Sequence, residues 1–389
     1  MKNENHRNIL RVMTSANHTS SPLNQFTLGR SRDRPNENTV VLSFFSLADG
    51  IDNKLQTHGA SDQITLSSAD GNPFMFLFLF FRHYRGFYSS GEPALVHVHQ
   101  SILAAPLLLL TLLHKPGLPT VFTVHNNFKN YSRRNKLLSA VSFLLADLVT
   151  FVSHDAKSEY PDVLKQFRAG SWEVVQNGVD VHRVDRTLDE IVNKNEWSGL
   201  TPDSVRSCLD LVTIGRIIPQ KNQIFLIDVL SRVRSNIHLT VIGEGPLRED
   251  LEARSEELEV AGRIHFTGLL PRDDVYARLH DADIFVSAAR WEGLPVAVME
   301  AMAVGLPVLL SDIPPHRELV VSGGRDAGPI ILPESYKKWA EEIEGLKQTE
   351  CEVRGRRCRG IVERHFSLQK MQKEYDKVYQ KTWNIEGYE

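Results

Sequence analysis

At 389 residues the chain has room for two to three domains and for a large buried core. Its composition, 42% hydrophobic and 24% charged, is that of a globular protein and excludes wholesale disorder, a collagen-like rod and a coiled coil. Lys and Arg total 45 against 48 Asp and Glu, a formal charge of −3, so there is no cationic excess to track a phosphate backbone and no nucleic-acid partner is expected.

The first eight residues are polar and run straight into a strand pattern at Ile9–Met13, with no apolar stretch of the kind a secretory signal needs. Three cysteines, Cys208, Cys351 and Cys358, cannot pair completely, and the last two lie too far apart across charged residues for a common zinc site. A reducing compartment is the simpler reading, and the chain is expected in the cytoplasm. Short β-branched or aromatic runs then alternate with helical stretches: Val40–Phe45, Leu95–Val98, Pro119–Val124, Leu148–Val152 and Trp172–Val175. That is the βαβα pattern of a mainly parallel sheet. Two longer apolar runs interrupt it, both shorter than the roughly 20 residues that span a bilayer. The second, Ile102–Leu113, reads as a buried helix with Pro106 near its start. The first, Phe74–Phe81 followed by Arg82 and Arg85, is harder to place, and a helix embedded in a membrane surface is one reading.

From Asn177 the periodicity fades into a charged segment, read as a linker over 181–206 between an N-terminal domain (1–180) and a C-terminal one (207–365). The alternation restarts with Leu209–Ile214, a helix near Asn222–Val233, His238–Ile242, a helix from Leu247, Ile264–Phe266, Ile284–Val286 and Val308–Leu310. Two doubly wound domains would place their strand ends across a cleft, where such sheets bind ligands. The Arg-rich stretch 354–364 reads as a solvated helix face.

Two segments carry chemistry. In the first, a strand ends at Gly215 and Arg216, and Lys221 stands where a helix begins. Glycine lets the backbone approach an anion, the guanidinium fork matches phosphate oxygens, and the ammonium and helix dipole add charge. Two ordinary surface cations are the plain alternative. In the second, a buried strand passes through Glu292-Gly293-Leu294-Pro295 into a helix. Pro295 suits a first helical position, leaving the amides near Gly293 and Leu294 to face a ligand. Glu300 lies among Val298, Met299, Ala301 and Met302, and a carboxylate so placed needs a partner. The hydroxyls of a ribose would serve, as would a structural arginine.

Glu292 and Glu300, with seven residues between them and followed by Ala-Met-Ala-Val-Gly-Leu-Pro-Val, resemble the paired-glutamate motif of glycosyltransferase family 4, whose members have the GT-B fold. The likeness extends through Gly215-Arg216 with Lys221-Asn222, residues 241–247, Phe266-Thr267-Gly268 and Asn177-Gly178-Val179-Asp180. It is thinner in the first half, resting on Val96-His97-Val98-His99, Thr123-Val124-His125 and Val152-Ser153. The resemblance implies two Rossmann-like domains facing a cleft, with a last helix from about Phe366 crossing back to the first domain. It implies that Gly215, Arg216, Lys221, Gly293 and Leu294 hold a donor diphosphate, Glu300 the ribose, and Glu292 the transferred sugar, which His125 approaches from the other domain. Gly268 and Leu269 would seat the base. One departure is the loop after the first strand, which lacks the family's glycines; Asn17, Ser20 or Ser21 would line the acceptor side instead.

The resulting expectation is a retaining, metal-independent glycosyltransferase using a nucleoside diphosphate sugar and a hydroxyl acceptor, a glycan or a lipid-linked precursor, with peripheral contact to the inner membrane face left open. No cofactor is expected. A nucleotide-sugar 2-epimerase and a noncatalytic partner subunit are the rivals. Asp281 and Asp283 imitate a metal-binding pair but precede a buried strand. His97 and His99 share a strand face without a third ligand, and read as packed or cleft-lining. His154 and Asp155 open a helix, where a carboxylate acts as a favourable cap.

Overall fold

The computed structural model describes residues 7–13, 37–43, 64–68, 73–89, 94–99, 101–114, 117–167, 171–193, 209–234, 236–320, 330–332, 334–346 and 348–385. The chain divides into two compact units, Met1–Asn177 with Leu368–Glu389, and Gly178–Ser367.

The first unit is a seven-stranded parallel sheet of β1 (Arg7–Met13), β2 (Glu37–Ser43), β3 (Ile64–Ser68), β4 (Ala94–Val98), β5 (Thr120–Val124), β6 (Leu148–Phe151) and β7 (Trp172–Val174), in the order β3-β2-β1-β4-β5-β6-β7. Helices α1 (Pro73–Ser89), α2 (Ser101–His114) and α3 (Arg133–Leu145) connect β3 to β4, β4 to β5 and β5 to β6, and the short α4 (His154–Ser158) and α5 (Asp162–Phe167) lead to β7. The period-two alternation of the strands builds two cores. Val96, Val98, Phe122, Val124, Val149 and Phe151 face one side, closed by Phe76, Leu108 and Phe143 from α1, α2 and α3. Ile9, Leu95, Val121 and Leu148 face the other.

Phe74–Phe81 is thus the start of a 17-residue helix whose one side is core. Pro106 stands inside α2 rather than near its start. β3 went unread in the sequence. Among the described residues no helix is long and apolar enough to cross a membrane.

The second unit opens with α6 (Val181–Asn193) and continues through β8 (Leu209–Ile214), α7 (Gln223–Leu230), β9 (Ile237–Ile242), α8 (Arg248–Glu257), β10 (Ile264–Gly268), α9 (Arg272–Asp281), β11 (Ile284–Ser287), α10 (Val296–Val304), β12 (Val308–Ser311), α11 (Pro314–Val320), β13 (Ile330–Leu332), α12 (Tyr336–Gly345) and α13 (Gln348–His365). Its sheet is six-stranded and parallel, β10-β9-β8-β11-β12-β13. The linker expected over 181–206 is corrected in its first part, because 181–193 is helical and packed. Asp180 caps α6, accepting from the Arg183 amide at 3.0 Å. Val184 is fully buried, and Arg183–Asp273 and Asp185–Arg359 pairs tie the helix to α9 and α13. Residues 194–206 lie outside the described residues.

The chain ends on α14 (Leu368–Ile385), which belongs to the first unit. Leu368, Met371, Tyr375, Val378, Tyr379 and Trp383 recur at helical spacing and cover Ile9, Leu95, Val121 and Leu148. In each sheet the strand order reverses direction beside its first strand in the chain, at β1/β4 and at β8/β11. The crevice outside the carboxyl ends of the strands at such a point is where doubly wound sheets bind ligands.

Candidate functional site

At the β8/β11 point two loops are laced together. The loop after β8 carries Arg216, Gln220, Lys221 and Asn222; the loop after β11 carries Ala288 to Pro295. The Gln220 carbonyl accepts from the Arg290 amide at 2.8 Å, and its side-chain amide donates to the Trp291 carbonyl at 2.9 Å. Asn222, held in the left-handed region at φ 54°, donates to the Ala288 carbonyl at 3.2 Å. These ties set Lys221 against Glu292 in an ion pair, with Glu292 only 7% exposed. The Lys221 stem crosses Gly215, where an added Cβ would meet its Cε at 3.0 Å. Glycine at 215 therefore aims the ammonium. Arg216 is exposed and makes no ion pair among the described residues, a cation left open at the strand end.

Glu300 is almost wholly buried, and its partner is Arg272, itself 4% exposed. Tyr276, one turn along α9, donates to the second carboxylate oxygen at 3.3 Å, and burial together with Glu300 pushes its hydroxyl far above the usual range. Of the two partners the sequence left open, the arginine is the one present. Pro295 is the N-cap of α10, not its first helical residue; its carbonyl accepts from Met299. The open amides of the first turn are accordingly those of Val296 to Val298, one step beyond Gly293 and Leu294. Leu294 is buried.

Gly215, Gly243 and Gly268 end β8, β9 and β10 in a row: the Gly215 amide reaches the Ile242 carbonyl, and the Gly243 amide the Gly268 carbonyl at 2.9 Å. A Cβ on Gly243 would collide with the Gly215 carbonyl oxygen at 2.2 Å, so this approach requires glycine. Leu269, next along, is exposed at the same end of the sheet.

Sequence reasoning missed His316. It is fully buried on α11, its Nδ1 proton goes to the Ser311 carbonyl at 2.8 Å, and its Nε2 is buried without a hydrogen-bond partner. Burial pushes its pKa down to about 4, with the charges of Glu292 and Lys221 close enough to act on it. A neutral imidazole thus stands beside the ion pair. The signal in the sequence is faint: one histidine a few residues after a strand.

In the first unit the sheet row facing α14 is polar where it reaches the strand ends. His97 lies 2.8 Å from the Tyr379 hydroxyl through Nδ1 and 2.7 Å from Thr123 through Nε2. Thr123 also meets Thr150 at 2.7 Å and the Tyr375 hydroxyl at 3.2 Å. His97 is therefore the packed histidine the sequence anticipated. His99 stands 3.4 Å from Nε2 of His125. His125 is partly buried, and loss of water around the ring pushes it down to about 4. It is neutral at physiological pH, able to donate or accept but not to supply charge.

Other expectations sort out by contact. Asp283 accepts from the Asp210 amide at 2.8 Å, at the amino end of β8 and so at the opposite end of the sheet from Lys221. The cap of α4 is Ser153, which accepts from Ala156 at 3.0 Å, while Asp155 binds Asn127 instead. That corrects the expected capping carboxylate: the hydroxyl reaches the free amide and the acid answers a buried amide side chain. Asn17, Ser20, Ser21 and Cys208 lie outside the described residues.

Two parallel-sheet units, with cations and carboxylates gathered at a strand-order switch point, fit the GT-B class of transferases. Residues 209–358 match the family described as glycosyl transferases group 1, and residues 43–183 match glycosyltransferase family 4. The chain belongs to the family 4 glycosyltransferases. It is 30% identical over 188 residues to the GDP-mannose-dependent alpha-(1-6)-phosphatidylinositol monomannoside mannosyltransferase of Mycolicibacterium smegmatis, covering 46% of this chain and 47% of that protein. It is 28% identical over 146 residues to the Escherichia coli UDP-Gal:alpha-D-GlcNAc-diphosphoundecaprenol alpha-1,3-galactosyltransferase, 36% of each chain. The matched span is thus about half or less of these relatives' length. Among solved structures, Anabaena HepE in complex with UDP and glucose superposes with a TM-score of 0.74 at 16% identity, over 97% of this chain and 100% of that one. Sucrose-phosphate synthase from Thermosynechococcus elongatus gives 0.77 at 14% identity, over 98% and 100%. At such identities the likeness is one of fold.

Proposed function

We propose that the protein is a retaining glycosyltransferase that moves a sugar from a nucleoside diphosphate sugar to a hydroxyl of a glycan or lipid-linked acceptor, working without a metal in the cytoplasm. The observation that carries this reading is the laced pair of loops presenting Lys221, Glu292 and an open Arg216 at the β8/β11 strand ends. Departure of a diphosphate builds negative charge, and a fixed ammonium, a guanidinium and the amides opening α10 are suited to receive it. Lys221 would exchange Glu292 for diphosphate oxygens, freeing the carboxylate to accept from sugar hydroxyls. Glu300, already held by Arg272 and Tyr276, would take a ribose hydroxyl on its remaining lone pairs. Gly268 and Leu269 are assigned to the base and His125, as a neutral hydrogen-bonding group, to the sugar. The mannosyltransferase and the galactosyltransferase named above both have acceptors built on a lipid, which supports the acceptor class and gives no support to the epimerase alternative.

A thermal-shift panel with UDP, GDP and ADP tests the donor site. A ligand at a hundredfold excess over its Kd stabilises by about 2.7 kcal/mol, so one base should stand out. No stabilisation by any of the three would remove the diphosphate assignment. Turnover with the matching donor should persist in excess EDTA, and proton NMR of fresh product should show the donor's anomeric configuration kept; an inverted product would overturn the retaining mechanism.

A further inference from the structure

Helices α1, α2 and α3 follow successive rightward crossovers, β3 to β4 to β5 to β6, and so lie side by side on one face of the first unit's sheet. Their inner sides share one core, and the Phe81 ring of α1 lies 5.0 Å from the His114 ring of α2. Their outer sides are unusual. A surface helix normally turns polar residues to water. Here α1 exposes Phe74 (82%) and Phe78, α2 exposes Leu109 and Leu113 (69%), and α3 exposes Leu137 (66%), Val141 and Leu144. In each helix the exposed residues recur at three- or four-residue steps, so each contributes an apolar stripe to the same face. Contiguous apolar surface of this extent marks an interaction site.

Charge selects the occupant. The three helices contain no Asp or Glu, in a chain with 48 of them. Their charged residues are Arg82 and Arg85 on α1 and Arg133, Arg134 and Lys136 on α3, the four arginines all exposed. A second copy docked face to face would set these cations against themselves. A surface that is apolar below and anionic at its rim satisfies both features, and that is an anionic lipid bilayer.

We infer that the outer face of α1, α2 and α3 is a docking surface for an anionic membrane, with the exposed Phe and Leu side chains entering the headgroup boundary and the arginines meeting lipid phosphates. The surface is independent of the transferase reading, since it needs neither donor nor acceptor, and it adds a reason for an acceptor that resides in a bilayer.

The test is flotation of the full chain, without nucleotide, on vesicles of phosphatidylcholine alone and of phosphatidylcholine mixed with phosphatidylglycerol. The mixed vesicles should bind at least about tenfold more tightly, because each cation near an anionic surface adds to the attraction. Arg133→Glu with Arg134→Glu should weaken that binding at least about tenfold, and so should Phe78→Ser with Leu113→Ser. All four positions are exposed, and unchanged melting temperatures would certify that both variants fold. Protein left unbound by the mixed vesicles, equal binding to both compositions, or variants that bind like wild type would overturn the assignment. So would a dimer, seen by sedimentation velocity, that Phe78→Ser with Leu113→Ser abolishes. Nucleotide stabilisation is read separately, so a failed donor site and a failed membrane face give different results.

Discussion

The two units use one architecture to handle polar groups in opposite ways. At the β8/β11 strand ends of the second unit, charge is held by charge: Lys221 with Glu292, and Arg272 with Glu300. In the β4, β5 and β6 row of the first unit the hydrogen bonds run between an imidazole and hydroxyls, and His97, Thr123 and Thr150 bond to one another and to Tyr375 and Tyr379. The difference teaches what each surface is prepared for. Paired ions can be re-paired by an anionic ligand; a network of hydroxyls around an imidazole holds no ion pair to exchange and is suited to positioning its neighbours, His99 and His125.

The largest effect expected from breaking this contrast is on stability. Arg272→Ala would leave the buried Glu300 carboxylate without its ion-pair partner, which costs about 3–5 kcal/mol, so the urea midpoint should fall well below that of wild type. A fall no larger than a surface substitution gives would mean the pair is not buried in solution. The sharper test of neutrality is pH. His316 titrates near 4 when folded and near 6.5 when unfolded. The unfolded chain therefore binds the extra proton, and the contribution, at most about 3 kcal/mol, is intact above pH 6.5 and lost as pH falls from about 6.5 toward 4. Urea midpoints measured across that window should drop, and His316→Gln should flatten the drop.

Next come the catalytic contrasts. Glu292→Gln and His125→Ala should each slow turnover roughly a hundredfold while keeping nucleotide binding by calorimetry, since both are assigned to the sugar. Normal turnover in both would remove them from the site. Lys221→Ala and Arg216→Ala should lower donor use by at least about tenfold, through loss of charge-assisted contacts. Because Lys221 and Glu292 touch, the double substitution Lys221→Ala/Glu292→Gln should cost less than the two singles together. The smallest effect is in the β4, β5 and β6 row: Tyr379→Phe removes one hydroxyl from His97, a loss of about 1 kcal/mol seen as a shift of a few degrees in Tm, with donor affinity unchanged.

Much of the second unit was legible because its chemistry is local. Gly215 to Asn222 and Glu292 to Glu300 are short stretches in which turn, cation, carboxylate and helix start follow in order, so spacing alone places them. Gln220 and His316 carry no mark in the sequence, since nothing distinguishes a glutamine that laces two loops or a histidine buried within electrostatic reach of an ion pair. α6 was mistaken for linker because its charges masked the Val181, Val184, Leu188 spacing and the capping Asp180. β3 and β13 lie at the sheet edges, the first with two apolar residues in five and the second only three residues long, so neither stands out.

The sequence by itself determined the alternation of strand and helix, the two parallel sheets, the loops that carry Lys221 and Glu292, and the odd apolar run beside Arg82 and Arg85. Only the tertiary structure decided who partners whom. Glu300 met Arg272 across 28 positions and His97 met Tyr379 across 282, and three separate apolar stripes became one face because right-handed crossovers laid their helices on the same side of a sheet. Periodicity reports which side of an element is buried, since that depends on neighbours a few residues away. Partners brought together by the fold leave no such period, so they become readable only once the chain is packed.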